Sequence, residues 1–180
     1  DLNEFLICSG YKSNMIEKHF KNKPIKTQII NSGTVDILQR IKDCKNFIDD
    51  EFLVCYGDTI ANVNINNLLE FHRSHSGVAT ISSYELRQNF GIIKKNKDNL
   101  VLSFNEKPRY PGSINIGYFI FDKKIFKYVQ TAHSWLDLIL NLTEEKQLFS
   151  FKHEGIHITI NTLNELASAE KSIDSYLDTF

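Results

Sequence analysis

Phe52-Leu53-Val54-Cys55-Tyr56-Gly57-Asp58-Thr59-Ile60 is the stretch on which the reading of this chain turns. An apolar run rich in β-forming residues stops at Gly57, and a carboxylate, Asp58, follows at once. In an open α/β sheet, ligands bind in the crevice beyond the carboxyl ends of the strands. A carboxylate at that point is well placed to hold a metal against a ligand. The plainer reading of the same residues is a Gly-Asp turn that ends a strand.

The segments before it alternate between the two periodicities. Residues 4–8 form a short apolar run closed by Ser9-Gly10, which predicts a buried strand. Residues 11–21 predict a helix with Met15, Ile16 and Phe20 available for burial, ending before Pro24. Residues 25–30 alternate as a strand should and stop at Asn31-Ser32-Gly33. Val35, Leu38 and Ile41 then recur at helical spacing through Cys44, behind Ser32 or Thr34 as the N-cap. After the central strand, 52–56, residues 64–75 predict a helix with Leu68 and Leu69 inward and His72 and Arg73 outward. Strand and helix alternating three times is the mark of a parallel sheet covered on both faces.

The second half changes rhythm. Residues 77–84, 91–95, 100–104 and 113–121 predict short strands, with a polar hairpin turn at 96–99. Helices follow at 122–129 and 134–145, then strands at 147–151 and 156–160. Leu163, Leu166, Ala169, Ile173 and Leu177 mark an amphipathic closing helix. With no repeat, low-complexity tract or linker in view, the expected architecture is a single α/β domain over residues 1–180. Its mixed, mainly parallel Rossmann-like sheet carries helices on both faces and a small antiparallel β insertion.

Composition narrows the function classes. The chain has 180 residues, 42% of them hydrophobic and 24% charged, which is ordinary for a globular fold. A formal net charge of −1 supplies no field for nucleic acid or an anionic membrane. Cys8, Cys44 and Cys55 are odd in number and contain no CxxC pair. Cys8 and Cys55 sit in apolar runs, where a reduced thiol packs as a small hydrophobe, so a reducing, cytoplasmic setting is expected. No apolar stretch approaches the roughly 18–20 residues of a membrane span.

None of the eight glycines forms a GxGxxG or Walker loop. The histidine pairs His72/His75 and His153/His157 read as surface residues: the first ends a solvated helix, and the second brackets Gly155 in strand context, without the helix geometry of a zinc site. That leaves Phe104-Asn105-Glu106-Lys107-Pro108-Arg109. Pro108 should hold Lys107 extended, so that Glu106 and Lys107 project to opposite sides. On spacing alone this is equally a charged turn.

Order and residues together resemble the sugar-1-phosphate nucleotidyltransferases, most closely the glucose-1-phosphate cytidylyltransferase branch. The resemblance rests on Phe5-Leu6-Ile7-Cys8-Ser9-Gly10-Tyr11-Lys12, on Tyr56-Gly57-Asp58 with Asn64-Ile65-Asn66 and Phe71-His72-Arg73-Ser74-His75, and on Phe90-Gly91 leading to Phe104-Asn105-Glu106-Lys107-Pro108. It extends through Ile114-Asn115-Ile116-Gly117-Tyr118-Phe119, His153-Glu154-Gly155 and Asn161-Thr162-Leu163. Each motif is weak alone; in this order they cover nearly the whole chain.

The resemblance implies that Asp58 ligates Mg²⁺, bridging nucleotide and sugar phosphates. It implies that Lys107 meets the sugar-1-phosphate, that Glu106 and Asn115 bond sugar hydroxyls, and that Tyr56 and Gly57 line the substrate. The implied partners are a nucleoside triphosphate, CTP foremost, and a sugar-1-phosphate. The product would be a nucleotide-sugar for polysaccharide biosynthesis. Three departures qualify it. The family's opening strand and G-G-x-G-T-R-type loop, which holds the triphosphate, are absent, so an element is expected upstream of Asp1 and these 180 residues alone should not catalyse. Apolar surface beside Phe5 to Cys8 would then promote self-association into a homo-oligomer. Asn161 stands where the family has a second metal aspartate, bringing an amide oxygen but no charge. The base-selecting segment is shortened at Ser32-Gly33-Thr34. A degenerate, non-catalytic module that binds a sugar phosphate or nucleotide is the competing expectation.

Overall fold

A computed structural model describes residues 4–176. Their contacts separate into two compact units interleaved along the chain. The first runs through Phe52 and adds Ser76–Ala79 and Phe121–Leu148; the second holds Leu53–His75, Thr80–Ile120 and the residues from Phe149 on.

In the first unit, β1 (Glu4–Ser9) pairs in parallel with β2 (Lys26–Asn31), Glu4 opposite Lys26 and Ser9 opposite Asn31. Helix α1 (Ser13–Phe20) makes the crossover. Parallel neighbours need such a crossover, so β1-α1-β2 is the expected β-α-β unit. Met15 departs from expectation: α1 is short, and Met15 is left 60% exposed while Ile16 and Phe20 are half-buried. Helix α2 (Ile37–Cys44) starts later than its periodicity suggested. Asp36, rather than Ser32 or Thr34, is the N-cap, its carboxylate accepting from Leu38 N at 2.6 Å, and Val35 lies outside the helix and exposed. Leu38, Ile41 and Cys44, three residues apart, are the buried stripe.

The other Asp36 oxygen accepts from Trp135 N, joining the start of α2 to the start of α5 (Trp135–Glu144). Helix α4 (Ile125–Thr131) buries Ile125, Phe126 and Val129, and α5 buries Leu138 and Leu142. Phe126 stacks on Phe52, and Phe121 meets Phe52 and the edge of Trp135.

A four-stranded sheet, most of whose residues belong to the second unit, has the order β3-β8-β5-β9, with β3 at Glu51–Cys55, β5 at Ala79–Tyr84, β8 at Ile114–Asp122 and β9 at Leu148–His153. In β8, consecutive residues Phe119, Ile120 and Phe121 are all buried, as in a strand covered on both faces. Helix α3 (Ile65–Arg73), N-capped by Asn64, places Leu68 in a core with Ala61, Val63, Ile116 and Ile120. His72 and His153, expected at the surface, are buried. His72 Nδ1 and His75 Nε2 both lie 2.8 Å from the buried Thr80 hydroxyl, a hydrogen-bonded setting that offsets the cost of burying His72. Cys55, expected to pack inside, is exposed.

Two further ladders complete this unit. Strand β4 (Thr59–Ala61), not expected from the sequence, pairs antiparallel with β10 (His157–Thr159). The expected antiparallel insertion is the ribbon β6 (Ile92–Lys95) and β7 (Val101–Asn105), whose turn is tied by Asn96 Oδ1 accepting from Asp98 N and Leu100 N. The closing helix α6 (Leu163–Tyr176) buries Ala169 but leaves Leu163 84% and Leu166 39% exposed, against the expected apolar stripe. Leu177 lies outside the described residues. No helix among the described residues is long and apolar enough to cross a membrane.

Candidate active site

All seven residues singled out from the sequence fall in the second unit. Asp58 follows β3 in a tight turn, and β4 starts at the next residue. Asp58 is exposed, its carboxylate receiving one long hydrogen bond from Thr59 Oγ1 at 3.4 Å. Its backbone carbonyl accepts from Ile160 N at 2.8 Å, which carries the β4–β10 register on past Thr59 and Thr159. By that register Gly57 comes opposite Asn161, so the backbone brings the Asp58 and Asn161 positions together.

The same turn is stitched to β8. Tyr56 N donates to Gly117 O at 2.9 Å, and Asn115 Oδ1 accepts from Gly117 N at 2.8 Å. Gly117 has φ 77°, a conformation that side chains with a Cβ adopt only under strain. A Cβ there would lie 2.6 Å from Tyr56 Cδ2, so the glycine lets the Tyr56 ring close over β8. Tyr56 also meets the Phe119 ring at 5.7 Å. Tyr56, Gly57, Asp58, Asn115, Gly117 and Asn161 thus form one strand-end cluster.

Asn161 is exposed and precedes a capping box. Glu165 Oε2 accepts from Asn161 N, Thr162 N and Thr162 Oγ1, while Thr162 Oγ1 accepts from Glu165 N. These bonds hold the Glu165 carboxyl below the usual carboxylate range. They also fix the backbone of Asn161 and leave its amide outward. The Thr-x-x-Glu spacing that signals this cap was present in the sequence and was not read there.

Glu106 and Lys107 are built differently. Asn105 pairs with Ile92 in the β6–β7 ribbon, while Arg109 bridges Arg87, flanked by Gln88 N to Pro108 O and Tyr110 N to Leu86 O, each 2.8 Å. Glu106 and Lys107 are the unpaired residues between these two ladders. The change of ladder overrides the preference imposed by Pro108: Lys107 is not extended but has φ 42°. Such a backbone costs about 1–3 kcal/mol and persists only where its surroundings over-determine it. Glu85 supplies part of that hold, paired with Arg109 at 3.1 Å and Lys152 at 3.2 Å. Nothing in the sequence pointed to Glu85. Among the described residues, the Glu106 and Lys107 side chains make no hydrogen bond or ion pair, with each other or with the Asp58 cluster.

The donor set suits one kind of metal binding. No group of three or more His, Cys, Asp or Glu that could hold an ion occurs among the described residues, so a protein cage is not built here. A hard carboxylate oxygen with a neighbouring amide fits a cation that keeps several waters and takes its other ligands from phosphates, which is how Mg²⁺ is commonly held.

Known proteins resemble this chain over most of its length. Residues 1–155 match the family described as nucleotidyl transferase. The "Probable glucose-1-phosphate cytidylyltransferase" of Bacillus subtilis is 27% identical over 94% of this chain and 78% of its own length. The "Bifunctional protein GlmU" of Methanocaldococcus jannaschii is 28% identical over 98% of this chain, which spans 44% of that relative. Among solved structures, HddC from Yersinia pseudotuberculosis superposes with a TM-score of 0.69 at 22% identity, covering 95% of this chain and 79% of its own.

Proposed function

Because the chain belongs to the nucleotidyl transferase family, we propose that it takes part in joining a nucleoside triphosphate to a sugar-1-phosphate, giving a nucleotide-sugar and pyrophosphate. CTP is the nucleotide we favour, from the resemblance to the cytidylyltransferase branch, and polysaccharide biosynthesis is the use of the product. The observation that carries this reading is the strand-end cluster, in which Gly117 bonds both Tyr56 and Asn115, and the exposed Asp58 is tied through its carbonyl to Ile160, next to Asn161.

In this reading Asp58, helped by the Asn161 amide oxygen, holds Mg²⁺, which when bound neutralises phosphate charge and keeps attacking and leaving oxygens in line. Asn115 has its Oδ1 engaged by Gly117 N, so its amide hydrogens are the part left to donate to a sugar hydroxyl. Glu106 accepts from a second hydroxyl. Lys107 supplies a compact positive charge for the sugar phosphate, on a flexible side chain that rises from a constrained backbone. Tyr56 and Gly57 form the wall beneath the sugar.

The test, made on a protein that carries a G-G-x-G-T-R-type loop upstream of these residues, is pyrophosphate release with CTP, GTP, UTP or dTTP and glucose-1-phosphate, then other sugar phosphates. Turnover with CTP is expected, abolished in Asp58→Asn. Lys107→Ala should chiefly raise the sugar-phosphate KM, by roughly 10- to 100-fold for a lost charged hydrogen bond of about 1.5–3 kcal/mol. Silence with all four nucleotides and every sugar phosphate would sink the catalytic reading. The single carboxylate in the cluster favours a second reading in that event: a module that binds sugar phosphate without turning it over. Saturable binding of glucose-1-phosphate, lost in Lys107→Ala, would support it. Near-normal turnover in Asp58→Asn would remove Asp58 from the metal site.

A further inference from the structure

Away from this cluster, the first unit brings two thiols together across 36 residues. Cys8 Sγ of β1 and Cys44 Sγ at the end of α2 are 3.1 Å apart. Cys44 is buried and Cys8 half-buried, so Cys8 is the more exposed residue of the pair.

The frame around them is closely built. Arg40 Nη1 donates to Cys8 O at 3.1 Å and Ser9 O at 2.7 Å, and Nη2 donates to Gly33 O at 3.2 Å. One guanidinium therefore clamps the end of β1 to the turn that follows β2. A Cβ on Gly10 would fall 2.3 Å from Gly33 O and 2.7 Å from Arg40 Nη2, so the two turns leave no slack. Ser32 N closes the frame by donating to Ser9 O at 3.1 Å. Held this way, the sulfurs meet in the folded chain without any rearrangement that would first bring them together.

Their electrostatics differ in the direction exchange chemistry needs. Donation from the Cys44 thiol, with the Arg40 charge nearby, lowers Cys8 to about 7 against the opposing effects of its own burial and Asp43. Cys44 is pushed up, first by its donation to Cys8 and then by burial. At neutral pH Cys8 therefore carries much of the thiolate, the form that attacks.

The geometry points to Cys8–Cys44 as a site of reversible disulfide formation, by exchange with a low-molecular-weight disulfide such as oxidised glutathione. Cys8 is the attacking sulfur and Cys44 the resolving one. In the first step the Cys8 thiolate bonds to one sulfur of the reagent, its S–S bond breaks, and one thiolate leaves and takes up a proton. Cys8 no longer carries the charge that held the Cys44 proton. Cys44 then gives that proton to solvent, and its sulfur attacks the Cys8 sulfur 3.1 Å away and expels the second thiolate. Two thiols and one small disulfide become one protein disulfide and two small thiols, so two electrons pass from protein to reagent.

The experiment uses the purified chain in a Cys55→Ser background, because Cys55 is exposed and would react independently. It is incubated anaerobically with oxidised glutathione, quenched in acid, and analysed by intact mass and peptide mapping, with circular dichroism reporting the fold. The expected product has lost two hydrogens, yields a cross-linked peptide containing Cys8 and Cys44, and reverts with dithiothreitol. The rate of the first step should rise with pH through a midpoint near 7. Adding Cys44→Ser should halt the reaction at one glutathione on Cys8. If that variant does not fold, the product formed without it still decides. Accumulation of glutathione on Cys8 without ring closure overturns the proposal. So does a folded protein in which both thiols stay unmodified, or a cross-link that forms only as the fold is lost.

Discussion

Replacing Gly117 by alanine tests the strand-end cluster most directly, because one atom sets two separable penalties. The first is conformational: φ is 77°, and an L-residue pays about 1–2 kcal/mol in the left-handed region. The second is steric. The new Cβ would lie 2.6, 2.7 and 2.9 Å from Tyr56 Cδ2, Cγ and Cβ. Those atoms belong to the root of the ring rather than a flexible tip, and the ring rests against Phe119. Relief therefore requires Tyr56 and the Tyr56 N to Gly117 O bond to move together. Overpacking of this kind costs about 1–3 kcal/mol, so the sum is about 2–5 kcal/mol. Urea denaturation followed by circular dichroism reads it as a fall in midpoint of about 1–2.5 M, for a slope near 2 kcal/mol/M. Gly57→Ala is the control, since a Cβ there meets nothing within 4 Å. It should hold the midpoint or raise it slightly by restricting the unfolded chain. A Gly117→Ala shift of under about 0.5 kcal/mol would refute the reasoning, because neither penalty could then be real at the size typical of such changes.

Thr162→Ala removes the two hydrogen bonds made by the Thr162 hydroxyl in the α6 capping box while leaving the bond from Thr162 N to Glu165, and should cost about 0.5–2 kcal/mol in the same urea titration. Leu68→Ala opens a cavity in the core of the second unit and should cost about 2–5 kcal/mol. His157 is lowered from its ordinary value of 6.5, by burial first and then by the His153 charge. Below that value the unfolded chain binds a proton more readily than the folded one. Its contribution to stability is therefore present at pH 7.5 and is lost as pH falls through 6.5 toward the folded value, and His157→Asn should flatten that part of the stability–pH profile.

The fold was legible where periodicity and punctuation agreed. Asn64 before Ile65 and Ser134 before Trp135 are N-caps ahead of apolar periodic runs, and both helices start there. Sequence reading failed where a long-range partner decided the outcome. Strand β4 is three residues long and exists because β10 lies beside it, so no local pattern announced it. His72, on helix α3, reads as polar and outward until Thr80, on strand β5, offers the hydroxyl that allows it inside. Asp36 was passed over as the cap because Val35 seemed to continue the apolar stripe. The thiol contact joins residues 36 apart and could not be inferred from spacing.

At the candidate site the local rules and the structure part company at Lys107. A residue before proline should be extended, and Lys107 has φ 42°. Glycine would adopt that backbone at the least cost, and this position holds a lysine instead. Ladder pairing explains how the strain is held, since Asn105 and Arg109 belong to different partners, and Glu85 braces the second of them. It does not explain why the strained residue is charged. Exposed Lys12 and Lys146 take φ 56° as well, so a lysine at positive φ does not by itself mark a site; what sets Lys107 apart is its place beside Glu106, between the two ladders. The strain and the charge share one account if the occupant is an anion brought from outside, and a sugar phosphate is the anion the proposed reaction supplies. The same logic separates Lys107 from Gly117, where strain is avoided by choosing glycine. There the backbone alone matters, and the chain has selected the residue that adopts it most easily.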